Sequence, residues 1–251
     1  MKKEWDAKTY SKDFQFVYKY GAAALDLLKV GKGDRVLDLG CGNGAITQKI
    51  AALGAEAIGL DASAEMLEIA ESRYPALKFI QAEATDFSLP EPVDAVFSNA
   101  VFHWIRAQDS LLDCVARALR PNGQLVCEFG GKGNNELIHS QLEKAFARRK
   151  LNYPRVFFFP TIGEYASLLE AHGFTVVYAA LFDRPTDLAG GEEGLENWIK
   201  MFLTQPFAGL PSRLADEIIA ETAANLKANL YKGEHWQADY VRIRVKALKA
   251  A

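Results

Sequence analysis

The chain has 251 residues, 49% hydrophobic and 24% charged, enough apolar material for one sizeable core with an elaboration and too much for a disordered polymer. Its formal net charge is −3, and Lys and Arg are scattered apart from Arg148-Arg149-Lys150 and the alternating Arg242, Arg244 and Lys246, so no basic stripe invites a nucleic acid. Three cysteines without metal-ligand spacing argue against a disulfide framework or a metal site, no apolar run approaches the roughly 20 residues of a membrane span, and Met1-Lys2-Lys3-Glu4-Trp5 lacks a signal-peptide core, so the expectation is a cytoplasmic protein.

Phe14, Val17, Tyr18, Gly21 and Leu25 recur at helical spacing and predict an amphipathic helix from about Ser11 to Leu28, a cap within residues 1–30. Five short apolar strands follow, at Arg35 to Leu39, Glu56 to Leu60, Leu77 to Gln81, Val93 to Ser98 and Gln124 to Phe129. Helical stretches near Ile46 to Leu53, Ser63 to Ser72 and Asp109 to Leu119 separate them. Ala171-His172-Gly173 ends a later helix, and Phe174 to Phe182 and Tyr240 to Val245 supply two more strands. The last one alternates Val241, Ile243 and Val245 with Arg242 and Arg244, which fits an antiparallel strand better than a central parallel one. The predicted fold is α/β: a doubly wound, mostly parallel seven-stranded sheet, Rossmann-like, with an antiparallel last strand over residues 31–251.

Two segments exceed that alternation. Residues 132–160 contain a helix around Leu137 to Lys150 and the run Val156-Phe157-Phe158-Phe159-Pro160, and residues 185–232 contain helical patterns near Glu192 to Leu203 and Pro211 to Leu230. In an open parallel sheet the ligand crevice lies outside the carboxyl ends of the strands, so these helical cap insertions are placed to shape a pocket there. The alternative is that they only pack on one face of the sheet.

Val36-Leu37-Asp38-Leu39-Gly40-Cys41-Gly42-Asn43-Gly44-Ala45 carries the chemistry: a strand running into a turn too tight, and too close to a ligand, for a Cβ, then a helix N-terminus. Asp61 closes the next strand, where an acid can accept hydrogen bonds from ribose hydroxyls. Gly40-x-Gly42-x-x-Ala45 alone would also satisfy a dinucleotide fingerprint. Asp38 separates the readings. A carboxylate in a buried strand needs donors or a cation, and it repels a pyrophosphate but suits an ammonium or sulfonium group. That favours S-adenosylmethionine, unless Asp38 binds only the backbone N–H groups of its own loop.

These residues resemble the class I S-adenosylmethionine-dependent methyltransferases. Asp38-Leu39-Gly40-Cys41-Gly42-Asn43-Gly44 is similar to their acid-x-Gly-x-Gly-x-Gly motif, and Asp61 to the ribose acid. Gln81-Ala82-Glu83-Ala84-Thr85 resembles the segment whose acid and following N–H meet the adenine, with Glu83 where many members carry Asp. Phe97-Ser98-Asn99-Ala100-Val101-Phe102-His103-Trp104 resembles the end of the fourth strand, and Leu119-Arg120-Pro121-Asn122-Gly123-Gln124 the turn before the fifth. Together with Glu128-Phe129-Gly130-Gly131-Lys132-Gly133-Asn134, the Asn-Ala-x-x-His-Trp string is closest in kind to the small-molecule branch that includes trans-aconitate methyltransferase.

The resemblance implies S-adenosyl-L-methionine as methyl donor, S-adenosyl-L-homocysteine as product, and a small-molecule acceptor with neither nucleic acid nor membrane as partner. It assigns cofactor binding to Asp38, Gly40, Cys41, Gly42, Asp61, Ala62, Glu83, Ala84, Ser98 and Asn99, with Tyr10 at the cofactor's amino-acid end. Transfer to oxygen by in-line displacement asks mainly for positioning and desolvation. His103 is the candidate base, unless it only packs beside Trp104. Trp5, Phe14 and Tyr20 are candidate lid aromatics, and Arg106, Arg155 and Arg184 are the cations expected to serve a carboxylic acid. Glu128 is placed either to orient the acceptor or as a partly exposed acid paired with Lys132. The alternatives from other classes are a nucleic-acid or protein methyltransferase, a nicotinamide-dependent dehydrogenase on the same fold, and a non-enzymatic sensor of the cofactor.

Overall fold

The computed structural model describes residues 23–251. The predicted helix from Ser11 falls largely outside them, as do Trp5, Tyr10, Phe14 and Tyr20; within them, Ala24 and Leu28 are buried against the sheet.

Strand β1 (Arg35–Leu39) lies between β2 (Glu56–Asp61) and β4 (Val93–Asn99), parallel to both, with Asp38 opposite Gly59 on one side and Phe97 on the other. β3 (Lys78–Gln81) extends this half beyond β2, and β5 (Leu119–Gly130) extends the other beyond β4. β10 (Val241–Lys249) then runs antiparallel between β5 and β6 (Phe174–Asp183), so the order is β3-β2-β1-β4-β5-β10-β6. Strand order reverses between β1 and β4, and a crevice opens at that point above the carboxyl ends. The predicted seven-stranded sheet and its antiparallel strand are those observed.

Apolar alternation gives the sheet two cores. On one face Leu37, Leu39, Leu60 and Phe129 pack with α3 (Gln108–Ala118) and α5 (Ile162–Ala171). On the other, Val36, Phe97 and Val126 pack with Ile46 and Ile50 of α1 (Ala45–Ala52). α2 (Ala64–Arg73) starts at Ser63, whose hydroxyl accepts from the Met66 N–H at 3.3 Å, and joins β2 to β3.

The two insertions share a third core. α4 (Glu136–Arg148) contributes Ile138, Leu142 and Phe146, α6 (Gly194–Phe202) Leu195, Trp198 and Phe202, and α8 (Ser212–Leu230) Ile218, Ile219 and Leu226. Burying each such side chain stabilises by about 1.5–3 kcal/mol, so the insertions have their own reason to fold together. The later insertion thus packs against the earlier one. A small antiparallel sheet of β7 (Thr186–Leu188), β9 (His235–Ala238) and β8 (Tyr231–Lys232) closes this cap. Between α6 and α8 lies the single turn α7 (Thr204–Phe207).

Candidate active site

The glycine turn is assembled by backbone. Gly40 and Cys41 N–H both donate to the Leu60 carbonyl, at 2.7 and 3.0 Å, which binds the end of β1 to the end of β2. Gly40 has φ +79, and a Cβ there would sit 2.2 Å from Val101 Cγ2, so a protein side chain already excludes a Cβ at this position. The expected tightness of the turn is thus set within the protein itself. Gly42 has φ +53, and its N–H donates to Asp61 Oδ2 at 2.8 Å, while Ser63 N–H donates to Oδ1 at 2.9 Å. Asp61 is thereby oriented by two backbone donors, and burial pushes its carboxyl up while the Ser63, Gly42 and Ala62 N–H groups oppose that shift. Glu83 is close enough to add to the rise, and Ala82 N–H donates to the Asp61 carbonyl at 3.1 Å, so β3 delivers Glu83 and Ala84 beside Asp61.

Asp38 is 1% exposed, and its Oδ2 accepts from Thr47 Oγ1 of α1 at 2.6 Å. Burial pushes its carboxyl up to about 7; the Thr47 hydrogen bond opposes this and Asp61 adds to it. The partner is thus a helix hydroxyl rather than the glycine loop's own N–H groups, and a second, cationic partner would be favourable. Cys41 is buried against Gly59, and burial pushes its thiol far above its ordinary value, so it fills space as a neutral group. Ser98 Oγ donates to the Leu39 carbonyl at 2.8 Å, tying β4 to β1 where the strand order reverses and setting Asn99 at the crevice.

Beyond Asn99 the chain turns through Ala100, a non-glycine residue at φ +61 whose N–H donates to the Glu128 carbonyl at 2.7 Å. Such backbone costs energy and persists where its surroundings impose it. A 3₁₀ turn, Phe102–Trp104, then places His103 in the interior, 7% exposed. Gly130 N–H donates to His103 Nδ1 at 3.3 Å. A backbone N–H can only donate, so Nδ1 is the acceptor in this contact.

The His103 carbonyl accepts from Phe158 N–H at 3.0 Å, which folds the aromatic run back over the turn. Phe157 and Phe159 stack at 5.3 Å, and Trp104 meets Phe157 edge-on at 4.6 Å. With Trp198, Phe202 and Tyr240 from the cap these rings line a cleft of about 420 Å³, part of it open to solvent. Its polar lining comes from His103, Asn134, Asn135 and Arg242. Trp198 Nε1 donates to the Tyr240 hydroxyl at 2.7 Å, and the Arg242 guanidinium, on a residue 5% exposed, lies 4.8 Å over the Tyr240 ring.

Arg242 is the cation that the structure places in the cleft and that the sequence reading did not select. The three arginines expected to serve a carboxylic acid do not meet in the cleft: Arg155 is held by Glu136 and Glu143 at the surface, Arg106 donates to the Arg155 carbonyl at 3.2 Å, and Arg184 pairs with Glu128. Glu128 itself is 2% exposed and binds Arg184 and Arg244 rather than Lys132. The signal was the placement of Arg242 and Arg244: charged residues on one face of a strand that is not at an edge are buried, and buried charges have partners or functions.

A family model described as a methyltransferase domain matches residues 37–127, from β1 into β5. An uncharacterized methyltransferase of Schizosaccharomyces pombe is 30% identical over 98% of this chain and 98% of its own length. Trans-aconitate 2-methyltransferase of Methylobacterium nodulans is 31% identical over 94% of this chain and 92% of its own. Among solved structures, phosphoethanolamine N-methyltransferase 2 of Haemonchus contortus, in complex with phosphomonomethylethanolamine and S-adenosylhomocysteine, superposes with a TM-score of 0.61 at 18% identity, covering 98% of this chain and 57% of that one; at that identity the likeness is one of fold. With the glycine turn, Asp38, Asp61 and the strand order all in place, the chain belongs to the class I S-adenosylmethionine-dependent methyltransferases.

Proposed function

We propose that the protein methylates a small organic acid on a carboxylate oxygen, and that the acceptor lies in the aromatic cleft. The observation that carries this reading is the buried Arg242 guanidinium set among rings beside His103. The name of the Methylobacterium relative, whose printed substrate is itself a carboxylic acid, supports it.

Bound S-adenosylmethionine supplies an electrophilic methyl group, and a carboxylate oxygen that accepts it becomes an ester with no proton to remove. On this chain, Gly40, Cys41 and Gly42 provide the turn that admits the cofactor, and Asp61 offers its remaining lone pairs to the ribose hydroxyls. Glu83 and Ala84 serve the adenine, with Ala62 beside them, while Asp38 serves the cofactor's cationic end together with Ser98 and Asn99, and Tyr10, outside the described residues, is assigned to that end from the sequence. Arg242 keeps the acceptor ionised and oriented, His103 donates from Nε2, and the aromatic walls exclude water. Loss of charge in the reaction favours a dry site, because a nearly neutral transition state depends less on solvation than the ionised acceptor does. His103 is in this account a hydrogen-bond donor to the acceptor rather than its base. The insertions at 132–160 and 185–232 act as one cap that builds the acceptor half of the site.

Release of S-adenosylhomocysteine, followed by mass spectrometry with carboxylic acids, amines, phenols and thiols in parallel, tests the proposal. Methyl esters are the expected products, and turnover confined to nitrogen or sulfur acceptors would overturn it. Arg242→Gln is expected to raise the acceptor KM about a hundredfold, the loss of two charge-assisted hydrogen bonds at ~1.5 kcal/mol each, and to leave cofactor affinity within threefold of wild type.

Asp38 makes a pH-dependent prediction. Its carboxyl is raised in the fold from 3.8 to about 7, so over that window the folded ligand-free protein holds a proton that the unfolded chain has released. The Asp38 contribution to stability therefore falls as pH rises from 3.8 to about 7 and is level above. A cationic ligand favours the ionised form, so cofactor affinity rises over the upper part of that window and levels above about pH 7. Calorimetric titration at several pH values checks both the rise and its disappearance in Asp38→Asn.

A further inference from the structure

We propose that Asn134 is a binding residue for the acceptor: its side-chain N–H groups donate to the carboxylate that is methylated, and so favour a group rich in lone pairs over an ammonium. This rests on the carboxylate reading above and adds a residue to it.

The Asn134 amide is fixed by the protein in one orientation. β5 ends at Gly130, and the chain passes through Gly131, Lys132 and Gly133 to Asn134, just ahead of α4. Gly131 N–H donates to the Val241 carbonyl at 3.1 Å, Asn134 N–H donates to the Gly131 carbonyl at 3.0 Å, and Val241 N–H donates to Asn134 Oδ1 at 2.9 Å. Both backbone groups of Val241 are thus engaged by this turn. A backbone N–H can only donate, so the oxygen end of the amide faces Val241 and the NH₂ end faces away from it. The pose exists before any ligand arrives, and a ligand that uses it is spared the cost of ordering that side chain.

The NH₂ end lies beside Gly130 at the cleft. Asn134 is 3% exposed and lines the cleft together with His103, Phe159 and Arg242. A Cβ on Gly130 would stand 3.1 Å from Asn134 Nδ2 and 2.5 Å from Phe159 Cε1, so glycine at this position is what lets the amide and the aromatic wall come so close to the end of β5. The same Gly130 donates its N–H to His103 Nδ1 at 3.3 Å and stands opposite Arg242 in the register of β5 and β10. Asn134, His103 and Arg242 therefore gather around one residue.

A carboxylate offers about four lone-pair sites and can accept from several donors at once. An ammonium group has only N–H to offer, and against the Asn134 NH₂ it would set donor against donor. A site built around fixed donors rejects a ligand that leaves them unpaired, because the desolvation of each donor is then uncompensated.

Asn134→Asp tests this, because an aspartate oxygen can still accept the Val241 N–H while the opposite end changes from a donor to an anion. Methyl transfer by wild type and variant is followed by mass spectrometry with a panel of carboxylic acids that includes trans-aconitate and cinnamate, and calorimetric binding of S-adenosylhomocysteine reports on the cofactor half. For the acid that wild type esterifies best, kcat/KM is expected to fall about a hundredfold, through loss of a charge-assisted hydrogen bond and gain of a like charge, with S-adenosylhomocysteine affinity within threefold of wild type. Should Asn134→Asp fail to bind S-adenosylhomocysteine, Asn134→Ser, which deletes the N–H groups without adding charge, carries the same test. A fall of less than tenfold means that Asn134 only holds Val241, and the inference falls while esterification of an acid stands. If wild type makes no ester from any acid of the panel, the carboxylate reading falls and takes the inference with it.

Discussion

Asp61→Ala weakens S-adenosylmethionine binding about 100- to 10,000-fold, measured by calorimetry on the purified protein. The expected loss is that of two hydrogen bonds from ribose hydroxyls to a charged acceptor, ~1.5–3 kcal/mol each, with every 1.4 kcal/mol worth a factor of ten. The same change also leaves the Gly42 and Ser63 N–H groups without the oxygens that hold them at 2.8 and 2.9 Å, so the turn loosens where the cofactor needs it fixed. Asp61→Asn does not rescue. Each carboxylate oxygen accepts one backbone N–H, so either orientation of an amide sets its NH₂ against a donor. An Asn variant that binds the cofactor within threefold of wild type would show that ribose recognition lies elsewhere.

Glu128→Gln lowers stability by about 3–5 kcal/mol, because it leaves two guanidiniums facing one neutral amide in the interior. The Glu128 side chain is 1% exposed, and those of Arg184 and Arg244 are 13% and 14% exposed, so little solvent is at hand to compensate. Both guanidiniums also pack over the Phe182 ring, at 4.9 and 5.2 Å, which fixes their heads even when the acid between them is gone. For a chain of this size the change corresponds to a fall of roughly 10 °C in Tm, read by calorimetry. A fall under 2 °C would mean that the cluster is not desolvated.

The parallel half of the sheet was legible because each strand buried on both faces reads as an apolar run, and because Gly40, Gly42 and Gly44 punctuate the first crossover. Asp38 stood out as an acid where an aliphatic residue belongs, and Asp61 as an acid at the end of the second strand, where such a fold places one. The cap was less legible. The two-residue strand Tyr231–Lys232 and the three-residue strand Thr186–Leu188 are too short to show a period, and they exist only because β9 pairs with both. Arg242 was visible as a residue while its place in the cleft was hidden, since alternation along β10 reads as one wet and one dry face until the neighbours on both sides are known. The contact of Gly130 N–H with His103 Nδ1 is likewise a matter no spacing encodes.

Val101 gives the site a property of a different kind. Its side chain touches the space above Gly40 in the cofactor turn, and its backbone leads into the turn that carries His103 and Trp104. One branched side chain thus couples the two turns, so a change of size at Val101 reaches both at once. Close-packed interiors transmit such strain rather than absorb it.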